Sequence, residues 1–354
     1  MRTQLILLAA ACGVATTLCA QQPSGAIEDL KAYAKIEVPG TGPATQSRGG
    51  ICDGAGNVYL RRIASEKPGQ ERVTRPIRKI SPDGTLMGSF RVLDAFQNLQ
   101  AGSGVNVIGK GVFVTADGKV FQAADAHGEV FVVEFAPDGS VKTKTKLATA
   151  SHTQSWLLAV FKSGEYLLTA TTGEDNLTPF TAVFAADGRL VKKIYEAEDE
   201  EARQKASPAD WGSRPIGMIG GADFVSKGDV AAGSDGNVYL LHRTASPALV
   251  YVISPAGEVL RKLRIDAGDS ELLARSIKFY SGRLAVEFDR GFDFDTHQNL
   301  IKVTDLQGNS IADYRMRPVV ENNALHLAGY GPEGLIFVPY KNEDKLYLVK
   351  AKLP

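Results

Sequence analysis

The pentapeptide GNVYL occurs twice in this chain, within GAGNVYLRR from Gly54 and within GSDGNVYLLHR from Gly233. In both copies a glycine of the kind that tight turns require is followed by Val-Tyr-Leu, which is the pattern of a β-strand leaving a hairpin. Short runs of Val, Ile, Leu, Phe and Tyr, separated by Asp-Gly, Ser-Gly or Asn-Gly, continue after residue 34 with almost no helical periodicity. The repeated pentapeptide therefore predicts an all-β chain built from a recurring unit.

The recurring unit is a meander of four strands, as in GGICDGAGNVYLRRIA (49–64) followed by IRKISPDGTLMGSFRV (77–92). The first turn of each unit contains a glycine, and these turn glycines are Gly56, Gly118, Gly164, Gly236, Gly282 and Gly334. Their shortest spacing is 46 residues, which agrees with the period of ~40–50 residues that is typical of propeller blades. The longer spacings of 62 and 72 residues indicate insertions between or within blades.

The two ends of the chain complement each other. The last unit, from Ala324, has only three strands, whereas AYAKIEVPG (32–40) is a single strand that precedes the first complete unit. Pairing this strand with the last unit would close a ring and remove the exposed sheet edges of an open array. We therefore predict an all-β, six-bladed β-propeller of four-stranded antiparallel blades, spanning residues 34–354, with the last blade closed by the N-terminal strand. Two β-sandwiches would need a linker, and the repeat continues in phase on both sides of the only candidate, 196–222.

The N-terminus has the composition of a secretory signal peptide. Arg2 is followed by an uncharged run from Leu5 to Ala20, which is too short and too rich in small side chains for a comfortable bilayer span. We predict a signal peptide over residues 1–20, a linker over 21–33, and an exported protein, periplasmic or secreted, with no membrane insertion after cleavage. Lipid attachment at Cys19 is the alternative, although Leu18 is bulky for that pattern.

Composition and charge limit the classes of function. Lys and Arg together number 40, as do Asp and Glu, so no broad field favours nucleic acid as a partner. After signal cleavage Cys52 is the remaining cysteine; its apolar surroundings predict a buried thiol rather than a nucleophile. The sequence contains no P-loop, dinucleotide fingerprint or G-x-S-x-G nucleophile elbow. We expect a monomer with a core large enough to be stable without disulfides.

The segments GICDGAGNVYL (50–60) and IRKISPDG (77–84) resemble the NHL-repeat and TolB-like group of six-bladed propellers. The resemblance covers residues 34 to 354 and concerns the repeat pattern, without a catalytic signature. It implies a central channel lined by the first strand of each blade, and a ligand-binding face formed by the long loops. Members of the group include binding modules, sensory domains, lactonases, synthase-like enzymes and a zinc-dependent lyase, so the fold implies little about activity.

On that expectation, seven connections form the binding face, because long loops on one rim of a rigid scaffold commonly carry function. They are 62–76, 93–108, 148–155, 171–180, 196–228, 288–299 and 318–325. The connection 196–228 opens with an acidic run, typical of a solvated surface helix, and contains Trp211, which could stack on a ligand or fill the channel as local core. Trp156, at the start of the third blade, is a further candidate contact.

Two groups of residues suggest metal binding or ligand contact. Asp293, Asp295 and His297 alternate in one loop, so in an extended segment they would point to one side. They do not fit a calcium-binding EF-hand loop, and a polar hairpin is the alternative. His152 and His326 both precede the first strand of a blade, near the channel mouth, and are weak candidate zinc ligands, since a catalytic zinc usually has three protein ligands.

The sequence thus favours an exported binding module for a protein, a peptide or a small ligand, without a catalytic residue or cofactor. The alternative is a zinc- or calcium-dependent hydrolase or lyase at the channel mouth. A lactonase of the resembling group would hold calcium with Glu, Asn and Asp side chains of the inner strands. The inner strands here, such as GVFVT (111–115) and SWLLAV (155–160), are mostly apolar, which disfavours that activity.

Overall fold

A computed structural model describes most of the propeller region. The described residues are 26–39, 46–63, 76–96, 108–173, 178–194, 228–242, 245–290, 299–317, 319, 325–339 and 345–353. Within them the chain forms twenty-five β-strands and one short 3-10 helix, Val92–Phe96. The same residues contain no helix of the length and apolarity that a bilayer span requires. The predicted signal peptide, 1–20, lies outside the described part.

In this part of the chain the strands form six sheets, which are the six predicted blades. Blades 1 and 2 contain β3 (Gln46–Cys52), β4 (Val58–Ile63), β5 (Ile77–Ile80), β6 (Leu86–Phe90), β7 (Ile108–Val114), β8 (Val120–Ala126), β9 (Glu129–Phe135) and β10 (Val141–Lys146). Blades 3 and 4 contain β11 (Gln154–Val160), β12 (Tyr166–Thr172), β13 (Thr178–Phe184), β14 (Leu190–Ile194), β15 (Gly228–Ala232), β16 (Val238–His242), β17 (Ala248–Ile253) and β18 (Val259–Ile265). Blades 5 and 6 contain β19 (Leu273–Tyr280), β20 (Arg283–Asp289), β21 (Asn299–Asp305), β22 (Ser310–Met316), β23 (Leu325–Gly331), β24 (Gly334–Pro339) and β25 (Leu346–Ala351).

The blades are arranged in a closed ring. Consecutive strands pair antiparallel in every blade, and the first strands β3, β7, β11, β15, β19 and β23 contact one another in that order. The ring closes because β23 of blade 6 contacts β3 of blade 1. The protein is therefore an all-β, six-bladed β-propeller, as the repeat predicted. Apolar side chains of neighbouring blades fill the seams between them, which makes the scaffold rigid.

The N-terminal strand completes the last blade, which confirms the predicted closure. β2 (Ala32–Val38) pairs antiparallel with β25, and Ile36 lies opposite Leu348. Val38 at the end of β2 is buried in the cluster that joins blade 6 to blade 1, together with Val58 and Ile80. Strand β2, the outermost strand of blade 6, therefore contacts apolar residues of both the last and the first blade.

One strand was not predicted. Part of the segment expected to be a linker, residues 21–33, forms β1 (Glu28–Leu30), which pairs parallel with β22 of blade 5. Leu30 is buried beside Tyr314 and Met316, and Arg317 contacts Asp29 at 2.7 Å. Blade 5 therefore has five strands, and the residues that precede the closing strand bridge the outer edges of two blades.

The predicted turn glycines also occupy their expected positions. All six glycines of the first turns have positive φ, including +81° at Gly56 and +84° at Gly236. The same conformation recurs in the turns between third and fourth strands, for instance at Gly188 with φ of +87°. A Cβ at Gly188 would overlap with the backbone oxygen of Lys146 in the neighbouring blade. Glycine is required there by both the turn and the close approach of two blades.

Candidate functional site

The two ends of the ring differ in their connections. On one face short turns connect the first to the second strand of each blade and, in blades 1 to 5, the third to the fourth strand. On the other face longer segments lead to the next blade and connect second to third strands, except in blade 2, where a two-residue turn, 127–128, makes that connection. On the long-loop face, blades 5 and 6 meet at a group of polar and charged side chains that lie on strands. We call this group the seam cluster; it consists of Arg275, Ser276, Glu287, Asp289, Asn299 and His326.

Glu287 is the centre of the seam cluster. Its side chain, on β20, is 1% exposed and accepts hydrogen bonds from Ser276 Oγ at 2.8 Å and from Asn299 Nδ2 at 2.6 Å. The backbone N–H of Leu327 in blade 6 donates to Oε1 at 3.0 Å. Burial alone would raise the pKa of Glu287, but His326, Ser276 and the Leu327 N–H lower the pKa below its usual value. Glu287 is therefore a buried, ionised carboxylate that connects two blades.

His326 is held on both sides by blade 5. The Asn299 amide donates to the backbone oxygen of Leu325, and Glu287 accepts from the N–H of Leu327, so the residues before and after His326 are both fixed. Nδ1 of His326 lies 3.9 Å from Oε1 of Glu287. The imidazole is 22% exposed. It is thus a partly accessible side chain on a rigid strand, oriented next to a buried negative charge.

An ion pair between Arg275 and Asp289 lies beside the carboxylate of Glu287. Arg275 Nε donates to Asp289 Oδ1 at 2.5 Å, and the two side chains are 11% and 8% exposed. The register of β19 and β20 shifts between Ala274 and Ser276, so Arg275 occupies a β-bulge. Bulges redirect side chains and are common next to functional sites. The bulge lets consecutive residues of β19, Arg275 and Ser276, both bond to acidic residues of β20.

A third ionic contact links blades 4 and 5 further along the inner strands. Lys278 Nζ donates to Asp229 Oδ2 at 2.7 Å, and the same oxygen accepts from the backbone N–H of Ile277 at 3.0 Å. Both charged side chains are largely buried, at 13% and 24% exposure. The inner strands are therefore less apolar in blades 4 to 6 than the sequence suggested.

The structure separates the two predicted zinc ligands. His326 belongs to blade 6 and His152 precedes the inner strand of blade 3, so the two histidines lie on opposite sides of the six-bladed ring. His152 is exposed, has φ of +57° and packs against Gly128 in the turn of blade 2. The described residues contain no group of three or more His, Cys, Asp or Glu side chains suited to a metal ion. A site for zinc or calcium stays a prediction.

Of the remaining candidate ligand contacts, Trp156 lies within the described residues. Trp156 occupies a β-bulge in the inner strand of blade 3, is partly buried, and donates through Nε1 to Thr171 Oγ1 at 3.2 Å. Trp211, Asp293, Asp295 and His297 lie outside the described residues. The loop that contains the last three leaves β20 after Asp289 and returns at Asn299, and both of these residues belong to the seam cluster.

Cys52 is a free cysteine on the inner strand of blade 1. Burial raises the pKa of its thiol to about 12, with a smaller opposing effect from Lys278. At neutral pH the thiol is therefore protonated and a poor nucleophile, as predicted, although the residue is partly rather than fully buried.

Of the six residues of the seam cluster, only His326 was predicted from the sequence as a candidate site residue. A signal was nevertheless present in LAVEFD (Leu284–Asp289), where Glu287 and Asp289 alternate with apolar residues in a strand. A carboxylate on the packed face of a strand has to find buried partners. Their identity depends on the neighbouring blade, which the strand sequence does not specify.

Comparisons with known proteins agree on the fold. No protein-family model matches the chain, and no curated protein matches it in sequence. A calcium-binding protein, regucalcin, from Agrobacterium tumefaciens is similar in structure, with a TM-score of 0.52, 11% identity, and coverage of 93% of this chain and 97% of that one. A gluconolactonase from Xanthomonas campestris gives a TM-score of 0.50, 11% identity, and coverage of 93% and 99%. A streptogramin B lyase gives a TM-score of 0.46, 12% identity, and coverage of 90% and 98%. At these identities the likeness to the first two structures establishes a shared six-bladed β-propeller fold and no more.

Proposed function

We propose that this protein is an exported β-propeller that binds a protein, a peptide or a small ligand on its long-loop face. The observation that carries the proposal is the seam cluster, in which charged and polar side chains are fixed on strands at that face. Convergent polar groups on a rigid scaffold are the usual basis of ligand specificity. The partly accessible His326 imidazole is the group that we expect to contact the ligand directly.

Other contacts are proposed from their place in the sequence. Asp293, Asp295 and His297 belong to the loop anchored at Asp289 and Asn299, so we expect them beside His326. His152 and Trp156 would contact a ligand large enough to extend across the channel mouth to blade 3. Trp211, in the connection between blades 3 and 4, would contribute a stacking surface.

The cellular setting is also part of the proposal. Export rests on the signal-peptide pattern of residues 1–20, and membership of the NHL-repeat and TolB-like group rests on the repeat pattern. We propose a periplasmic or secreted monomer that is not inserted in a membrane, needs no cofactor and does not bind nucleic acid.

A ligand screen with matched variants tests the binding function. Peptides, sugars and small organic acids are screened by thermal shift against the purified protein, and hits are measured by calorimetry. We expect His326→Ala to weaken the hits at least about tenfold, whereas Asp138→Ala, in an exposed turn on the other face, leaves them unchanged. Hits that bind both variants equally would contradict the proposed site.

A metal-dependent hydrolase or lyase at the channel mouth is the second candidate. It is favoured by the position of His326 beside Glu287, since a histidine that binds a metal usually has a carboxylate or carbonyl next to its other nitrogen. Elemental analysis of the purified protein tests it. Stoichiometric zinc or calcium that is lost in His326→Ala would support the enzyme, and metal-free protein with an unchanged melting temperature in chelator would count against it.

A further inference from the structure

We propose that the face with the short turns carries a second binding site, at the seam between blades 5 and 6, for a small organic acid that contains a flat ring. We call the group of residues that forms it the tyrosine cluster; it consists of Tyr280, Arg283, Tyr314 and Tyr330. The cluster lies at the opposite end of the ring from the seam cluster, so this inference goes beyond the proposed function and does not depend on it.

The turn between β19 and β20 brings two side chains to this face. It has only two residues, Ser281 and Gly282, with φ of +48° and +75°, which is the conformation of the tightest hairpin turns. Tyr280 and Arg283 therefore flank the turn and lie directly opposite each other. Cross-strand partners and alternate residues share one side of a sheet, and Ala285 on that side packs with residues of blade 6. Both side chains are thus directed towards blade 6.

The rings of Tyr280 and Tyr330 stack across the seam. Their centroids are 4.9 Å apart, and their planes are inclined by 15°. Tyr330, on the inner strand β23, is 5% exposed, whereas Tyr280 is 38% exposed. Tyr280 therefore offers an accessible ring, held in its orientation by a buried partner, on which a second flat ring can stack.

The polar atoms of the cluster are donors that lack an acceptor. The hydroxyl of Tyr330 is buried and has no hydrogen-bond partner in the part of the chain that the structure describes. Arg283 is exposed and forms no ion pair with a described residue, since Asp305 opposite it accepts instead from backbone N–H groups of its own turn. A buried hydroxyl without a partner is rare in folded proteins, and an acceptor brought by a ligand would satisfy it.

The charges at the cluster favour an anion, but only moderately. Burial raises the pKa of Tyr314 and of Tyr330, and Arg283 opposes the rise in both. The guanidinium is therefore close enough to act on both hydroxyls. Glu28, opposite Tyr314 on β1, raises the pKa of Tyr314 further, so a carboxylate is also nearby. An anion without a ring would gain little from such an exposed site, and we expect stacking to supply much of the affinity.

These groups together define the chemistry of the ligand. A guanidinium can bind a carboxylate through two parallel N–H donors, and the ring of Tyr280 can stack on an aromatic ring or on the apolar side of a sugar ring. The side chains of Tyr280 and Arg283 form no hydrogen bond with a described residue, so they can move apart and let the acid reach the Tyr330 hydroxyl. The expected ligand is a carboxylate attached to a ring, as in an aromatic acid or a sugar acid.

Titrations of the purified protein followed by NMR test the site. The probes are benzoate, an aromatic acid, and glucuronate, a sugar acid; acetate carries the charge without the ring, and benzyl alcohol carries the ring without the charge. We expect at least one of the two acids to saturate the protein and to bind at least about tenfold more tightly than acetate and benzyl alcohol. The acid that saturates distinguishes an aromatic from a sugar ligand. If neither acid saturates, or if acetate or benzyl alcohol binds equally well, the proposal is overturned.

Matched variants locate the binding. Arg283→Gln should weaken the acid about tenfold. Tyr330→Phe, which removes only the hydroxyl without a partner, should weaken it too, without lowering the melting temperature. Arg189→Gln makes the same change of charge in an exposed turn of blade 3 on the same face, and it should bind like the wild type. Equal affinities of the wild type and a folded Arg283→Gln would refute the site.

The two binding proposals can fail separately. Acid binding that is lost in Arg283→Gln and retained in His326→Ala would support the tyrosine cluster, whatever the ligand screen shows for the long-loop face. Acid binding that is lost in His326→Ala and retained in Arg283→Gln would refute the tyrosine cluster and support the site of the proposed function.

Discussion

The carboxylate of Asp125 in blade 2 accepts hydrogen bonds from both the backbone N–H and the hydroxyl of Ser155 in the inner strand of blade 3. Both residues are buried. In the described part of the ring, Asp229 of blade 4 and Glu287 of blade 5 also accept from a backbone N–H in the inner strand of the next blade, that of Ile277 and that of Leu327 respectively. Acidic side chains therefore connect successive blades at all three of these places.

Replacing Asp125 by Ala should destabilise the ring, because it leaves two buried donors of Ser155 without their acceptor. We expect the free energy of unfolding to fall by about 2 kcal/mol, measured by chemical denaturation. Asp138→Ala is the matched control, since Asp138 accepts from the N–H and hydroxyl of Ser140 but is exposed. Equal losses in the two variants would contradict the role of burial.

The ion pair between Lys302 and Asp313, at 2.5 Å with exposures of 6% and 2%, should behave as a buried pair. Asp313→Ala should cost about 3–5 kcal/mol of unfolding free energy, because it leaves the ammonium buried without its partner. The double variant Lys302→Met, Asp313→Leu should recover most of that loss. A double variant as unstable as the single one would show that the pair itself, rather than an uncompensated charge, stabilises blade 5.

Closure of the ring should depend on Val38 far more than on its neighbour Glu37. Val38→Ala removes buried methyl groups from the closing seam, and we expect a loss of about 2 kcal/mol. Glu37 forms a largely exposed ion pair with Lys345, for which about 0–1 kcal/mol is typical. Thermal unfolding of the two single variants compares them directly, and similar melting temperatures would argue against closure by β2.

Substitutions at Gly188 and Gly236 distinguish the two reasons for glycine in the turns, which are the positive φ and the lack of space for a Cβ. Both have positive φ, +87° and +84°, but only a Cβ at Gly188 would meet another blade, while none is within 4 Å at Gly236. Alanine should cost about 1 kcal/mol at Gly236 through conformation alone. It should cost clearly more at Gly188, where the neighbouring backbone must move. Denaturation midpoints that fall by the same amount would rule out the steric contribution.

Glu287 should make the stability depend on pH in a defined direction. Its pKa is lower in the folded protein than the usual value, so ionised Glu287 stabilises the fold above the unfolded-state pKa. This contribution is lost as the pH falls through the lowered folded-state pKa. The difference in unfolding free energy between the wild type and Glu287→Gln should therefore shrink from pH 7 to about pH 3. A difference that stays constant or grows towards acid would contradict the lowered pKa.

The number of blades was predictable because it depends on local chemistry. Turns that need positive φ select glycine wherever they occur, so Gly56 and Gly236 indicate the same turn in two blades. The closing strand was predictable from the mismatch between the two chain ends. β1 was not, since the three residues Glu28–Leu30 have no distinctive pattern and their partner strand lies almost 300 residues away.

The seam cluster was only partly predictable, because it depends on which blades face each other. Glu287 and Asp289 looked like an acidic end of a strand, and their partners come from the inner strands β19 and β23 and from the first residue of β21. His152 and His326 looked equivalent in the sequence because both come at the start of a blade, but His152 precedes β11 whereas His326 is the second residue of β23. In a ring of six, residues three blades apart lie on opposite sides.

The pairing of β2 with β25 has a consequence for biogenesis. Glu37 and Lys345, which meet across this pair, are 308 residues apart in the chain. On a ribosome the leading strand therefore emerges long before its partner has been synthesised. Completion of blade 6 has to wait for the full-length chain, and contacts of such long range are formed slowly. Truncation products that lack the final strand would leave this hydrogen-bonding edge open to association with other chains.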